Sequence, residues 1–187
     1  MGNPHNPDRY GETWPQHKID ACLHVLQRVK PHVVVSGGYA WHFMAPVGHP
    51  EYKHGHDHKD IDIYVPKHQV STVISLLLGL GLRKVTTKYD RLDNPEEFRR
   101  YEKVVEDGEH PPFRITIDFF VEKAPLPTTE INGWSVVEPG TLLGFYTQGH
   151  HGSSECFAVQ AARKLLDKGI DPVLRPELVE IPERSGP

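Results

Sequence analysis

Cysteine is scarce. Cys22 and Cys156 are the two cysteines in 187 residues, too few for a disulfide scaffold, and a reducing cytosol is the simplest compartment for such a chain. Long apolar runs are missing too. The longest, Val73 to Leu82, is interrupted by Ser75, Gly79 and Gly81 and falls far short of the roughly 20 residues a bilayer span needs. No charged segment followed by an apolar one opens the chain, so the pattern of a secretory signal is not seen. An excess of one charge is also lacking: 21 Lys and Arg against 25 Asp and Glu give a formal charge of -4. That excludes a strongly basic nucleic-acid binder acting by phosphate neutralisation alone, while leaving room for a local basic groove. With 37% hydrophobic and 25% charged residues, the expectation is a cytoplasmic protein with one packed core and no membrane partner.

Glycine and proline, by contrast, are plentiful and punctuate the chain. Residues 1–15 hold three prolines and two glycines without apolar periodicity and read as a flexible arm. Ile19, Cys22, Leu23, Leu26 and Val29 recur at helical spacing, and Lys30-Pro31 closes that helix. Val33-Val34-Val35 is a β-branched run entering Ser36-Gly37-Gly38, which suits a buried strand and a tight turn. Tyr39 to Met44 opens a second helix. From Asp60 to Val65 polar and apolar residues alternate as in a strand. Val70, Val73, Ile74, Leu77 and Leu78 return to helical spacing. Leu82 to Lys88, Phe98 to Val105 and Phe113 to Val121 read as strands, and Thr141 to Thr147 and Ser154 to Asp167 as helices. The predicted organisation is an arm (1–15), a core (16–138), C-terminal helices packed on it (139–170) and an extended tail (171–187). The fold class is α/β or α+β, a mixed β-sheet flanked by helices.

Chemistry concentrates between Val33 and Val65. Asp60 and Asp62 are two apart on a strand and share a face. Two neighbouring carboxylates repel unless a positive group sits between them, and Mg²⁺ commonly takes one or two carboxylates plus substrate phosphates. Asp118 is a third acid set in an apolar strand, between Ile117 and Phe119. Taken alone, Asp-Ile-Asp is the pattern of a solvated edge strand and Ser-Gly-Gly only a turn. Their order describes a phosphoryl- or nucleotidyl-transfer site with one or two metals: strand, Gly-Gly, helix, loop, Asp-x-Asp strand, later strand Asp.

In this order Val35-Ser36-Gly37-Gly38, Asp60-Ile61-Asp62-Ile63 and Ile117-Asp118-Phe119 resemble the nucleotidyltransferase superfamily that shares the DNA polymerase β catalytic fold. Gly37-Gly38-Tyr39-Ala40 and His58-Lys59-Asp60-Ile61-Asp62 are similar to the small antibiotic and abortive-infection-toxin members. The resemblance spans about half the chain, and it departs in a longer, His-rich spacer between Gly38 and Asp60. It implies a metal-dependent transferase in which Asp60, Asp62 and Asp118 hold Mg²⁺ or Mn²⁺. Asp118 would complete that metal site or take the acceptor's proton. Ser36, Gly37, Gly38 and His58 would bind the nucleotide. The partners implied are a nucleoside triphosphate and an acceptor hydroxyl on a small molecule, a tRNA or a protein, with room for an antitoxin.

His49, His54, His56 and His58 with Asp57 offer a rival, a zinc-dependent hydrolase, although His54-Gly55-His56-Asp57-His58 is one residue short of the metallo-β-lactamase signature. A third alternative is a nucleotide-binding module without catalysis. Lys59 and Lys67 could assist at the phosphates, and Arg99-Arg100, Arg114 and Arg163-Lys164 could supply local positive charge for a nucleotide or RNA, but all read first as solvated charges. Tyr39, Trp41 and Trp134 could stack on a base, but read first as core residues.

Overall fold

Residues 15–44, 59–87 and 97–148 are described by the structure, a computed structural model, with side chains as far as 145. Arm residues 1–14, the loop 45–58 with its histidines, Lys88, the helix expected at 154–167 and the tail 171–187 lie outside the described residues. Close backbone contacts divide the chain into two units, one including 15–36, 59–87 and 97–126 and the other 37–44 and 127–148.

In the first unit, α1 (Gln16–Val29) buries Ile19, Cys22, Val25, Leu26 and Val29, a stripe at helical period. Val25 takes the place expected of Leu23, which is only half-buried. A 3-10 turn at Lys30–His32, with its proline, ends the helix and leads to β1 (Val34–Ser36). Strand β2 (Ile61–Val65) buries Ile61, Ile63 and Val65, the alternation read from sequence, beginning one residue after Asp60. Helix α2 belongs to the other unit; α3 (Val70–Gly79) buries Val73 and Leu77. Leu78, expected inside, is 43% exposed, because a step of about 100° past Leu77 carries it off so narrow a stripe. Strand β3 is shorter than expected (Arg83–Val85), whereas β4 (Phe98–Val105) and β5 (Phe113–Val121) have the predicted limits.

These strands lie in the order β3-β4-β5-β2-β1 within a mixed sheet. Only β2–β5 is parallel among the pairings β3–β4, β4–β5, β2–β5 and β1–β2. Because neighbours directly opposite share a face, Ile61, Ile63, Ile115, Ile117, Phe119 and Tyr101 fall together on one side and are buried there. Helix α1 packs on this side: the His17 ring meets Phe113 edge-on at 5.4 Å, and the Lys18 ammonium lies 5.8 Å from the same ring. Arg99 also joins this side, its guanidinium 5.6 Å from the centre of the Phe119 ring.

In the second unit, α2 (Gly37–Met44) buries all eight of its residues, including Tyr39 and Trp41. Strands β6 (Thr128–Ile131) and β7 (Trp134–Val137) pair antiparallel. They are joined by Asn132-Gly133, both at positive φ (49° and 72°), as a type I′ turn requires. This hairpin was not anticipated, although Asn-Gly is a strong short-range signal for one. Phe43 stacks on Trp134 at 4.6 Å. Helix α4 (Pro139–Gln148) starts with proline, and Glu138 caps it by accepting the Gly140 and Thr141 N–H groups at 2.9 and 2.8 Å and the Thr141 hydroxyl at 3.0 Å. Burial raises the Glu138 carboxyl, yet these hydrogen bonds outweigh it and hold the group below its ordinary value. No helix among the described residues is long and apolar enough to cross a membrane.

Candidate active site

The face of the sheet opposite α1 carries the acids. In register, Ser36 of β1 lies opposite Asp62 of β2, Asp62 opposite Asp118 of β5, and Asp118 opposite Arg100 of β4. A hydroxyl, two carboxylates and a guanidinium thus form one row across the strands. Asp60, just before β2, lies along the strand from Asp62, and both are half-buried. Ser36 is buried, and Asp118 is 8% exposed.

Carboxylates on adjacent strands are costly to bury without a counter-charge. Arg100 supplies it. Its Nε donates to Asp118 Oδ1 and its Nη2 to Asp118 Oδ2, each at 2.6 Å, the fork-to-fork geometry of a strong charge-assisted pair. Nη2 also lies 3.7 Å from Asp60 Oδ2. The hydrogen bond to Asp118 chiefly, against the opposing effect of burial, makes the guanidinium still harder to deprotonate than usual. One guanidinium therefore serves two of the three acids.

The rows on either side differ. Glu102 and Thr116 lie opposite each other, the Thr116 hydroxyl 3.5 Å from Glu102 Oε1, with Arg114 Nη1 3.3 Å from Glu102 Oε2. On the other side, Tyr64 and Phe120 stack at 5.1 Å and Phe98 tilts against Phe120 at 5.2 Å. Burial, then the charge of Asp62, pushes the Tyr64 phenol above its ordinary value, so it is protonated at neutral pH.

Ser36 ends β1 and Gly37 opens α2 directly. Gly37 has φ of +58°, a conformation a side chain would strain, so the strand passes into the helix within one residue. Gly37 and Gly38 are both buried. His58 lies outside the described residues, and Lys59 and Lys67 are exposed.

Sequence alone brings Asp60, Asp62 and Asp118 forward and ranks a solvated Arg100 ahead of a nucleotide-facing one, yet its side chain is 27% exposed and bound to Asp118. The signal was present: a hairpin folding about Glu109 puts Arg100 and Asp118, equidistant from it, opposite each other.

A Mg²⁺ or Mn²⁺ ion can be tested against these donors. No three His, Cys, Asp or Glu side chains among the described residues come together closely enough to hold a metal ion by themselves. Asp60 and Asp62 fit the other arrangement, two hard oxygen donors on one strand face with substrate phosphates completing the shell.

No protein-family profile matches the chain, and comparison with curated protein sequences finds no match. Solved structures do match. JHP933 from Helicobacter pylori is 13% identical, with a TM-score of 0.54 over 81% of this chain and 68% of its own. At that identity the likeness is one of fold. ANT(2")-Ia, solved in complex with adenylyl-2"-tobramycin, is 15% identical over 87% of this chain and 95% of its own, with a TM-score of 0.49. The Megavirus polyadenylate synthase is 11% identical over 87% of this chain and 36% of its own, with a TM-score of 0.48. These last two are too remote to bear on the argument.

Proposed function

We propose that the chain is a nucleotidyltransferase that moves a nucleoside monophosphate from a nucleoside triphosphate to a hydroxyl. The observation that carries this reading is the polar row Ser36–Asp62–Asp118–Arg100, with Asp60 beside it and the Gly37-Gly38 turn following Ser36. The acceptor oxygen forms a bond to the α-phosphorus, the bond from that phosphorus to the bridging oxygen breaks, and pyrophosphate leaves; the acceptor hydroxyl gives up its proton to solvent water.

Asp60 and Asp62 would hold Mg²⁺ or Mn²⁺, which when bound neutralises phosphate charge. Ser36 with the Gly37 and Gly38 amides would take phosphate oxygens, donors suited to an anion at a tight turn. His58, two residues before Asp60, is assigned to the nucleotide on the resemblance alone. Positioning and electrostatics are the protein's main contributions in such chemistry. A small molecule fits the acidic balance of the chain slightly better than RNA as acceptor.

The test is transfer of label from α-³²P nucleoside triphosphates with Mg²⁺ to a panel of tRNA, aminoglycosides, lincosamides and the protein itself. The Asp60→Asn/Asp62→Asn double variant is run in parallel. Transfer that disappears in the variant supports the reading and identifies the acceptor class. Triphosphate binding without transfer to any acceptor favours a binding module, and no binding at all sinks the nucleotidyltransferase.

A further inference from the structure

A guanidinium has five N–H donors in a flat fork. Arg100 gives the Nε hydrogen and one Nη2 hydrogen to Asp118, which occupies one edge of the fork. The neighbouring edge, formed by Nη1 and Nη2, keeps two parallel hydrogens, and Asp60 Oδ2 lies 3.7 Å from Nη2, beyond hydrogen-bond distance. With 27% of the side chain exposed, the guanidinium is within reach of a ligand beside Asp60. Two parallel N–H groups match two oxygens of a phosphate.

Resting on the nucleotidyl-transfer reading, we infer that Arg100 binds the nucleotide's phosphates through its Nη1–Nη2 edge, and that Asp118 acts as the residue that positions it. The third acid then works through an arginine. Asp118 fixes the fork from the adjacent strand, so little rotamer freedom is left to lose when phosphate arrives. The local charge also makes sense: a site with three carboxylates repels a triphosphate, and Arg100 places one fixed cation where the carboxylates are densest.

The experiment uses the full chain and the α,β-methylene analogues of the four nucleoside triphosphates, titrated calorimetrically with Mg²⁺. Bound Mn²⁺ is counted by electron paramagnetic resonance in the presence of the same analogues. Arg100→Gln is expected to weaken analogue binding about 10- to 100-fold, the range for one charge-assisted bidentate contact. Binding of the corresponding nucleosides, which lack phosphate, should stay unchanged. Arg100→Lys, which keeps the charge without the fork, should recover part of the loss and stands in if the glutamine variant does not fold. Asp118→Asn should weaken analogue binding while leaving the number of bound Mn²⁺ ions as in the wild type.

Analogue binding insensitive to both Arg100 variants would overturn the inference alone. So would loss of a Mn²⁺ ion in Asp118→Asn, which would make the acid a metal ligand. A wild-type chain that binds none of the analogues would instead overturn the nucleotidyl-transfer reading, and this inference with it.

Discussion

On the side of the sheet that meets α1, residues 61, 63, 115, 117 and 119 are apolar and at most 1% exposed. On the other side the same strands, one residue out of phase, carry Asp62, Tyr64, Thr116, Asp118 and Phe120, most of them half-buried. Parity along a strand therefore divides the labour: odd positions of β2 and β5 hold the unit together, and even positions carry the polar row. Stability and the proposed activity can then respond to different substitutions at adjacent residues.

Phe119→Ala should break the packed side most severely, at a cost of about 3–5 kcal/mol, since it empties a fully buried ring site; equilibrium urea unfolding measures it. Tyr64→Leu, on the other side, keeps an apolar body but loses the stacking on Phe120, and about 0.5–1.5 kcal/mol is expected in the same assay. Equal costs would mean that the two sides do not differ. Arg114→Ala removes the pair with Glu102, but the arginine side chain is 63% exposed, and solvent screening leaves about 0–0.5 kcal/mol, shrinking further in high salt.

The smallest effect concerns Asp107, in the β4–β5 connection. The His110 side chain, then the His110 and Glu109 backbone N–H groups, lower its carboxyl from an ordinary value of 3.8 to about 2. A lowered folded value means that the stabilisation is complete above about pH 4 and is lost as pH falls toward 2. Asp107→Asn should flatten the stability profile over that window, as followed by thermal unfolding at each pH. An unchanged slope would count against the contact.

Much of this was legible in the chain. Alternation fixed which face Asp60, Asp62 and Tyr64 share, and Gly108 with Pro111-Pro112 marked the end of β4 and the start of β5. Periodicity identifies a face and not the strand that will lie beside it, which is why Arg100 looked solvated: only register brings it to Asp118. The β6–β7 hairpin escaped for a different reason. Its strands have four residues each, too short for alternation to stand out, so Asn132-Gly133 was the better guide. Leu78 failed because a ten-residue helix bearing so many leucines gives no sharp polar face from which to read its orientation.

The Arg100–Asp118 pair has a consequence for how the chain assembles. Its partners are 18 residues apart within a single hairpin, whereas Asp62 reaches Asp118 only by a parallel pairing that spans α3, β3 and β4. Closing the shorter loop costs less entropy, and local hairpins form on faster timescales than distant parallel pairings. With its counter-ion supplied from within the same hairpin, Asp118 lies opposite Asp62 already neutralised. The guanidinium thereby lets two strands bearing like charges lie in register, its counter-charge drawn from the nearer stretch of chain.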